Sequence, residues 1–155
     1  MAHVIFAQEM YFPLQSTQVL SAYLKKAGHT TDVAIGSPSE IVKYCKKEKS
    51  DLIAFSVLTS YRNHMLATVD ELKEAKIDSI LIAGGYDITF MPQILKNSNL
   101  DIICLGEGGD PLIELCKSLD EDKNWRDLET GNLHIKQKDG SVKKNPMRHW
   151  LMNMD

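Results

Sequence analysis

The sequence predicts a three-layer α/β sandwich built on a five-stranded parallel sheet, and three observations predict it. Leu52-Ile-Ala-Phe-Ser-Val57 and Ile80-Leu-Ile-Ala83 are continuous apolar runs without polar alternation. Strands covered by helices on both faces read that way, because neither side of the sheet meets water. Helical stretches separate these runs from each other and from similar runs on either side, so strand and helix alternate. Each run also stops at small, polar or glycine residues, Ser56-Val-Leu-Thr-Ser60 after the first and Gly84-Gly85 after the second. Ligands of open parallel sheets bind outside the carboxyl ends of the strands, so these stops are the first candidates for a site.

In chain order, Val4 to Ala7 is the first strand, and Gln8-Glu-Met-Tyr-Phe-Pro13 follows as a loop. A helix then runs to Ala27 with Leu20, Leu24 and Ala27 on one stripe. Gly28 ends it, because the left-handed C′ position suits a residue with no Cβ. Asp32 to Ile35 is the second strand. Ser37-Pro-Ser-Glu40 makes a capping box with Pro38 at the first helical position, and the short helix behind it turns Ile41, Val42 and Cys45 inward.

Strand three precedes a helix with Met65, Leu66, Val69 and Leu72 at helical spacing. After strand four, residues 86–90 read as a loop and Met91 to Leu95 as a short helical segment. Ile102 to Leu105 is strand five, ending in Gly106-Glu-Gly-Gly109. Asp110-Pro111 starts the last long helix, which buries Leu112, Leu115, Cys116 and Leu119. Five strands in this alternation imply right-handed crossovers and a flavodoxin-like arrangement.

Residues 120–131 are charged and loop-like. His134 to Lys138 and Ser141 to Lys144 flank Asp139-Gly140, a signal for a two-residue type I′ hairpin, and Asn145-Pro146 ends it. Trp150, Leu151 and Met154 follow with no later element to cover them, which suggests a domain belonging to a longer protein.

A net charge of -3 gives no electrostatic case for nucleic acid or an acidic membrane. No apolar run approaches the roughly 20 residues of a membrane span, and no basic leader with a cleavage site opens the chain. The cytoplasm is the expected compartment. Cys45, Cys104 and Cys116 fit no zinc or iron–sulfur spacing and read as free, reduced thiols. His3, His29, His64, His134 and His149 read as solvated, so no metal ligand and no catalytic residue is assigned within the chain.

Residue chemistry narrows the ligand. The loop after strand one is acidic and bulky, not a hydroxyl- and glycine-rich phosphate cradle. No G-x-G-x-x-G stands there for a dinucleotide, and Ser56 occupies the place where a phosphoryl receiver needs a carboxylate. What remains is a rim with small hydroxyls (Ser56, Thr59, Ser60), a glycine pair, and Gly106-Glu-Gly-Gly109 at a helix start. Its charges are Glu9, Asp87 and Glu107. A large, nearly neutral, amide-rich ligand suits these groups, and corrinoids are of that kind.

Several pieces then fall into one pattern. Ser21-Ala-Tyr-Leu-Lys-Lys-Ala-Gly-His29, Ser56-x-Leu58, Gly84-Gly85, Leu105-Gly-Glu-Gly-Gly109 and Asp139-Gly140 with Asn145-Pro146 occur in order, each at its proper place. Together they resemble the cobalamin (vitamin B12) binding domain at the front of B12-dependent radical S-adenosylmethionine enzymes. The resemblance runs over nearly the whole chain. It implies cobalamin as cofactor, held by Glu9, Met10, Tyr11, Ser56, Leu58, Thr59, Ser60, Gly84, Gly85, Tyr86, Glu107 and Gly108. Ser56-x-Leu58 and Gly84-Gly85 are similar to the S-x-L and G-G motifs that line the channel for the cofactor's nucleotide tail.

One departure from the wider B12 families is informative. No D-x-H-x-x-G follows strand one, and Tyr11 or a neighbour stands near the place of the cobalt-ligating histidine. The resemblance therefore implies base-off cobalamin with no histidine under cobalt. It also implies a cofactor domain over residues 1–131, then a hairpin and linker over 132–155 leading to a C-terminal radical domain. That domain would carry the 4Fe-4S cluster and S-adenosylmethionine, since this chain has no C-x3-C-x2-C loop. The implied chemistry is methyl transfer or oxidative cyclisation, with this chain catalytically silent alone. Two other readings stay open: a stand-alone corrinoid carrier, and a flavodoxin-like interaction module with a vestigial pocket. Two local alternatives also stand, Glu107 as a helix cap and Tyr11 and Phe12 as core aromatics.

Overall fold

In the computed structural model, which describes residues 1–149, the apolar runs pair in parallel. β1 (His3–Gln8), β2 (Thr30–Ile35), β3 (Leu52–Ser56), β4 (Ile80–Gly84) and β5 (Ile102–Cys104) lie in the order β2-β1-β3-β4-β5. The connections are α1 (Gln15–Lys26), α2 (Pro38–Lys47), α3 (Arg62–Glu74), a single-turn α4 (Tyr86–Phe90) and α5 (Gly109–Asp120). Trp150, Leu151 and Met154 lie outside the described residues.

Strand alternation sorts the core into two faces. Val4, Phe6, Leu52, Ala54, Ile82 and Cys104 pack with Leu24, Leu112, Leu115 and Cys116 of α1 and α5. Ile5, Ile53, Phe55, Leu81 and Ala83 pack with Ile41, Cys45, Met65, Val69, Leu72 and Ile88 of α2, α3 and α4. Each aliphatic side chain fully buried this way contributes about 1.5–3 kcal/mol, so the two faces hold the strand order.

Helix ends are set locally. Ser37 and Glu40 complete the predicted capping box, with Ser37 N–H donating to Glu40 Oε2 at 2.8 Å. α1 ends as predicted at Gly28 (φ 91°), where His29 N–H reaches back to Leu24 O. α3 and α5 end in the same motif, but Lys76 (φ 55°) and Asp122 (φ 53°) occupy the left-handed position.

Three expectations need correction. The sheet has seven strands, not five, and is mixed. β6 (Leu133–Lys136) pairs antiparallel with β5, placing Ile135 opposite Ile102, and β7 (Val142–Lys144) pairs with β6. Leu133 and Ile135 are fully buried, and the otherwise open edge of β5 gives them cover. The turn is also different. Gln137 N–H donates to Ser141 O and Gly140 N–H to Gln137 O, so three residues make the loop. Gly140 alone has positive φ there, whereas a type I′ turn needs two such residues. Finally, residues 86–90 form α4, not a loop; Thr89 closes the turn with its N–H and hydroxyl on Gly85 O.

After β7 the chain crosses to the carboxyl end of β5. Asn145 donates to Leu128 O and Thr130 O, Arg148 N–H donates to Asn132 Oδ1, and the Arg148 guanidinium pairs with Glu114. The Met147 methyl thereby comes within 3.3 Å of the space a Gly106 Cβ would fill.

Candidate functional site

The rim at the carboxyl ends of the strands is assembled from four loops. At β1, the buried Gln8 amide donates to Met10 O (2.6 Å) and Phe12 O (2.9 Å), folding the Glu9-to-Leu14 loop over the strand end. Tyr11 and Phe12 consequently point outward, 79% and 61% exposed, which excludes them as core aromatics. Met10 abuts the Tyr61 hydroxyl.

At the centre, Ser56 of β3 stands in register with Gly84 of β4. Alternation places Ala54, Ser56, Gly84 and Cys104 toward α1 and α5, a strip with no bulky side chain. A Cβ at Gly84 would meet Cys104 O at 3.5 Å, an ordinary contact, so the fold itself does not demand glycine there. The strip is roofed by α1: Ser16 Oγ and Ser56 Oγ lie 2.8 Å apart. Burial pushes the Cys104 thiol up to about 12, so it stays neutral.

Gly85 is different. Its φ is 105°, and a Cβ would sit 2.7 Å from Val57 O and 2.9 Å from Val57 N. The chain's own backbone, not a ligand, fixes this glycine. Val57 N–H also bonds Gly84 O, and Asp87 N–H bonds Val57 O. Asp87, read from the sequence as a rim charge, is buried with its side chain 2% exposed and is held by Arg62, whose Nε donates to Oδ2 at 2.7 Å. Arg62, with help from the Thr59 hydroxyl and against the cost of burial, holds the Asp87 carboxyl below the usual carboxylate range.

The β5–α5 loop uses its glycines for packing. Cβ atoms at Gly108 and Gly109 would meet Leu20 at 3.6 Å and Tyr23 at 3.2 Å, so α1 seats directly on the start of α5. Gly108 is the N-cap, so the Glu107 side chain, exposed, does not cap α5. Instead the Glu107 carbonyl accepts from Asn132 Nδ2 at 3.0 Å.

The structure therefore brings Ser56, Leu58, Gly84, Gly85 and the backbone of Met10 to one end of the sheet, with Glu9, Tyr11, Thr59, Ser60, Tyr86 and Glu107 exposed around it. Leu58, Tyr86 and Phe90 (46%, 76% and 76% exposed) add an apolar ledge. A small cleft of about 20 Å³ lies between the ends of β1 and β3, lined by Gln8, Glu9, Met10, Ser56, Tyr61 and His64 among others. Gly84 does not line it. Gln8, Ser16, Arg62 and His64 were not legible as site residues. Gln8 left one signal, a polar side chain closing an apolar run. No three potential metal ligands cluster among the described residues. No described helix is long and apolar enough to cross a membrane.

Strand order and helical crossovers define a doubly wound domain whose small rim residues stand at the carboxyl ends of β3, β4 and β5, beside the switch between β1 and β3. The B12 binding domain family matches residues 11–116, and the chain belongs to that family, with cobalamin as its cofactor. Among solved structures it is similar to the cobalamin-dependent S-adenosylmethionine radical enzyme OxsB with aqua-cobalamin and S-adenosylmethionine bound. The TM-score is 0.80 at 21% identity, over 97% of this chain and 23% of that one. A cobalamin-binding protein from Desulfitobacterium hafniense DCB-2 gives 0.61 at 18% identity, over 75% of this chain and 57% of that one. The methanol:cobalamin methyltransferase complex MtaBC from Methanosarcina barkeri gives 0.65 at 16%, over 79% and 48%. The chain thus spans about a quarter of the length of OxsB. No curated protein matches it.

Proposed function

We propose that this chain is the cobalamin-holding module of a B12-dependent radical S-adenosylmethionine enzyme and binds the cofactor base-off, with no histidine beneath cobalt. The strip Ala54, Ser56, Gly84 and Cys104 carries the reading, because it offers a neutral, unbulky bed for a nucleotide tail. Residues present fit the group in two further ways. The exposed Leu58, Tyr86 and Phe90 offer apolar surface suited to the edge of a corrin ring. The buried Asp87 carboxylate is neutralised by Arg62, so the rim's remaining carboxylates are the exposed Glu9 and Glu107.

When bound, cobalamin supplies the group-transfer or redox chemistry. The chain's residues hold and orient it. Ser56, paired with Ser16 across the strip, would hold the tail through its hydroxyl. Glu9, Met10, Thr59, Ser60, Glu107 and Gly108 line the remaining approach. Within this arrangement residues 1–131 hold the cofactor and residues 132–155 lead toward a radical domain carrying the 4Fe-4S cluster and S-adenosylmethionine. The anchoring of Arg148 and Met147 beside Gly106 supports that direction.

Purified chain mixed with hydroxocobalamin and passed through gel filtration tests the reading. Co-elution with a base-off absorption spectrum is expected. Unchanged spectra without co-elution would leave a vestigial pocket, and a nitrogen-ligated cobalt would favour a stand-alone carrier.

A further inference from the structure

We propose that the Arg62–Asp87 pair is a positioning device that fixes the spacing of the two loops beside the nucleotide tail, so that the chain selects cobalamin over corrinoids lacking that tail. The inference rests on the cobalamin reading above and goes beyond it by assigning selectivity to residues that touch neither ring nor strip.

Arg62 opens α3 and Asp87 lies in α4, so the pair ties the loop after β3 to the loop after β4. These loops carry Ser56-x-Leu58 and Gly84-Gly85. The pair is two-pronged: Nε meets Oδ2 at 2.7 Å and Nη2 meets Oδ1. A guanidinium–carboxylate fork tolerates one relative placement of its partners, whereas a single charge contact tolerates many.

The fold does not need that fork to close the loops. The Val57–Gly84 backbone bond, the packing of Gly85 on Val57 and the Asp87–Val57 backbone bond already do so. Apolar groups commonly replace a buried ion pair without loss of stability, so the pair's distinguishing contribution is geometry. Sheet pairing fixes Ser56 against Gly84, so what the pair holds in place is the spacing of the loop segments beyond them, Leu58 to Tyr61 against Tyr86.

The test compares hydroxocobalamin with aquacobinamide, which keeps the corrin ring and lacks the nucleotide, by absorption titration of the chain. Arg62→Lys leaves Asp87 paired but removes the fork. Its cobalamin Kd should rise about tenfold or more while its cobinamide Kd changes less than about threefold. Arg62→Met with Asp87→Leu removes the pair without stranding a charge and should lose the same selectivity. Equal shifts for both ligands, an unchanged ratio in the double variant, or a wild type that does not discriminate would each overturn the proposal. A wild type that binds neither corrinoid sinks the cobalamin reading instead.

Discussion

Ser16 Oγ lies 2.8 Å from Ser56 Oγ, joining the exposed first turn of α1 to the end of the central strand β3. The bond spans forty residues of sequence and covers the strip where bulk is absent. A cofactor tail that reaches Ser56 competes with Ser16 for it.

Ser16→Ala should therefore speed cobalamin association in stopped-flow mixing while changing stability by less than about 1 kcal/mol, the net value of one exposed hydrogen bond. Ser56→Ala should weaken affinity about fivefold for the same reason. Slower association by Ser16→Ala would show that this contact is part of the binding surface.

The two adjacent glycines should separate folding from binding. Gly85→Ala forces a Cβ into the Val57 backbone at positive φ and should cost about 3 kcal/mol or more in urea unfolding. Gly84→Ala meets only ordinary contacts, so it should fold as the parent does and lose about tenfold or more in cobalamin affinity. Equal stability losses at both positions would contradict the division.

Electron paramagnetic resonance of the Co(II) form should lack nitrogen superhyperfine splitting. His64 is the imidazole that lines the rim cleft, and its Nε2 already donates to Gly36 O at 2.8 Å. Splitting that vanishes in His64→Ala would make it the lower ligand and overturn the base-off, histidine-free reading.

Cys45, Cys104 and Cys116 are buried, and burial pushes their thiols up to about 11, about 12 and about 12. The thiolate is the reactive form, so all three should resist a disulfide reagent at pH 8 and react only in denaturant. Rapid modification of native chain would show that the faces of the sheet open readily.

Acid should weaken the fold partly through Asp87. Its carboxyl is lowered in the native state by Arg62, so the unfolded chain takes up that proton first as pH falls. The stabilisation is complete above the ordinary carboxylate value near about 4 and disappears as pH drops through the lowered native one. Unfolding midpoints measured from pH 6 to pH 2 should fall more steeply for wild type than for Arg62→Met with Asp87→Leu. Parallel curves would exclude the pair as a source of acid sensitivity.

The parallel strands, the Ser37–Glu40 cap and the Gly28 helix end were legible because each is written in adjacent residues. Ser56 and Gly84 were legible as candidates because a strand's carboxyl end is fixed once its direction is known. The partner of Asp87 was not, since Arg62 stands 25 positions away and only the β3–β4 pairing brings it near. Gly85 was read as room for a ligand, and its true neighbour, Val57, becomes visible only with the loop's path. The hairpin's strands were found, but nothing local to residues 133–144 says that β5 receives them.

That added hairpin also governs how the chain meets other copies of itself. Without it, β5 would present unpaired N–H and C=O groups, an invitation to edge-to-edge aggregation. With it, that border passes to β7, a strand of only three residues carrying Lys143 and Lys144, and charge on a short terminal strand discourages a stranger's backbone from extending the sheet.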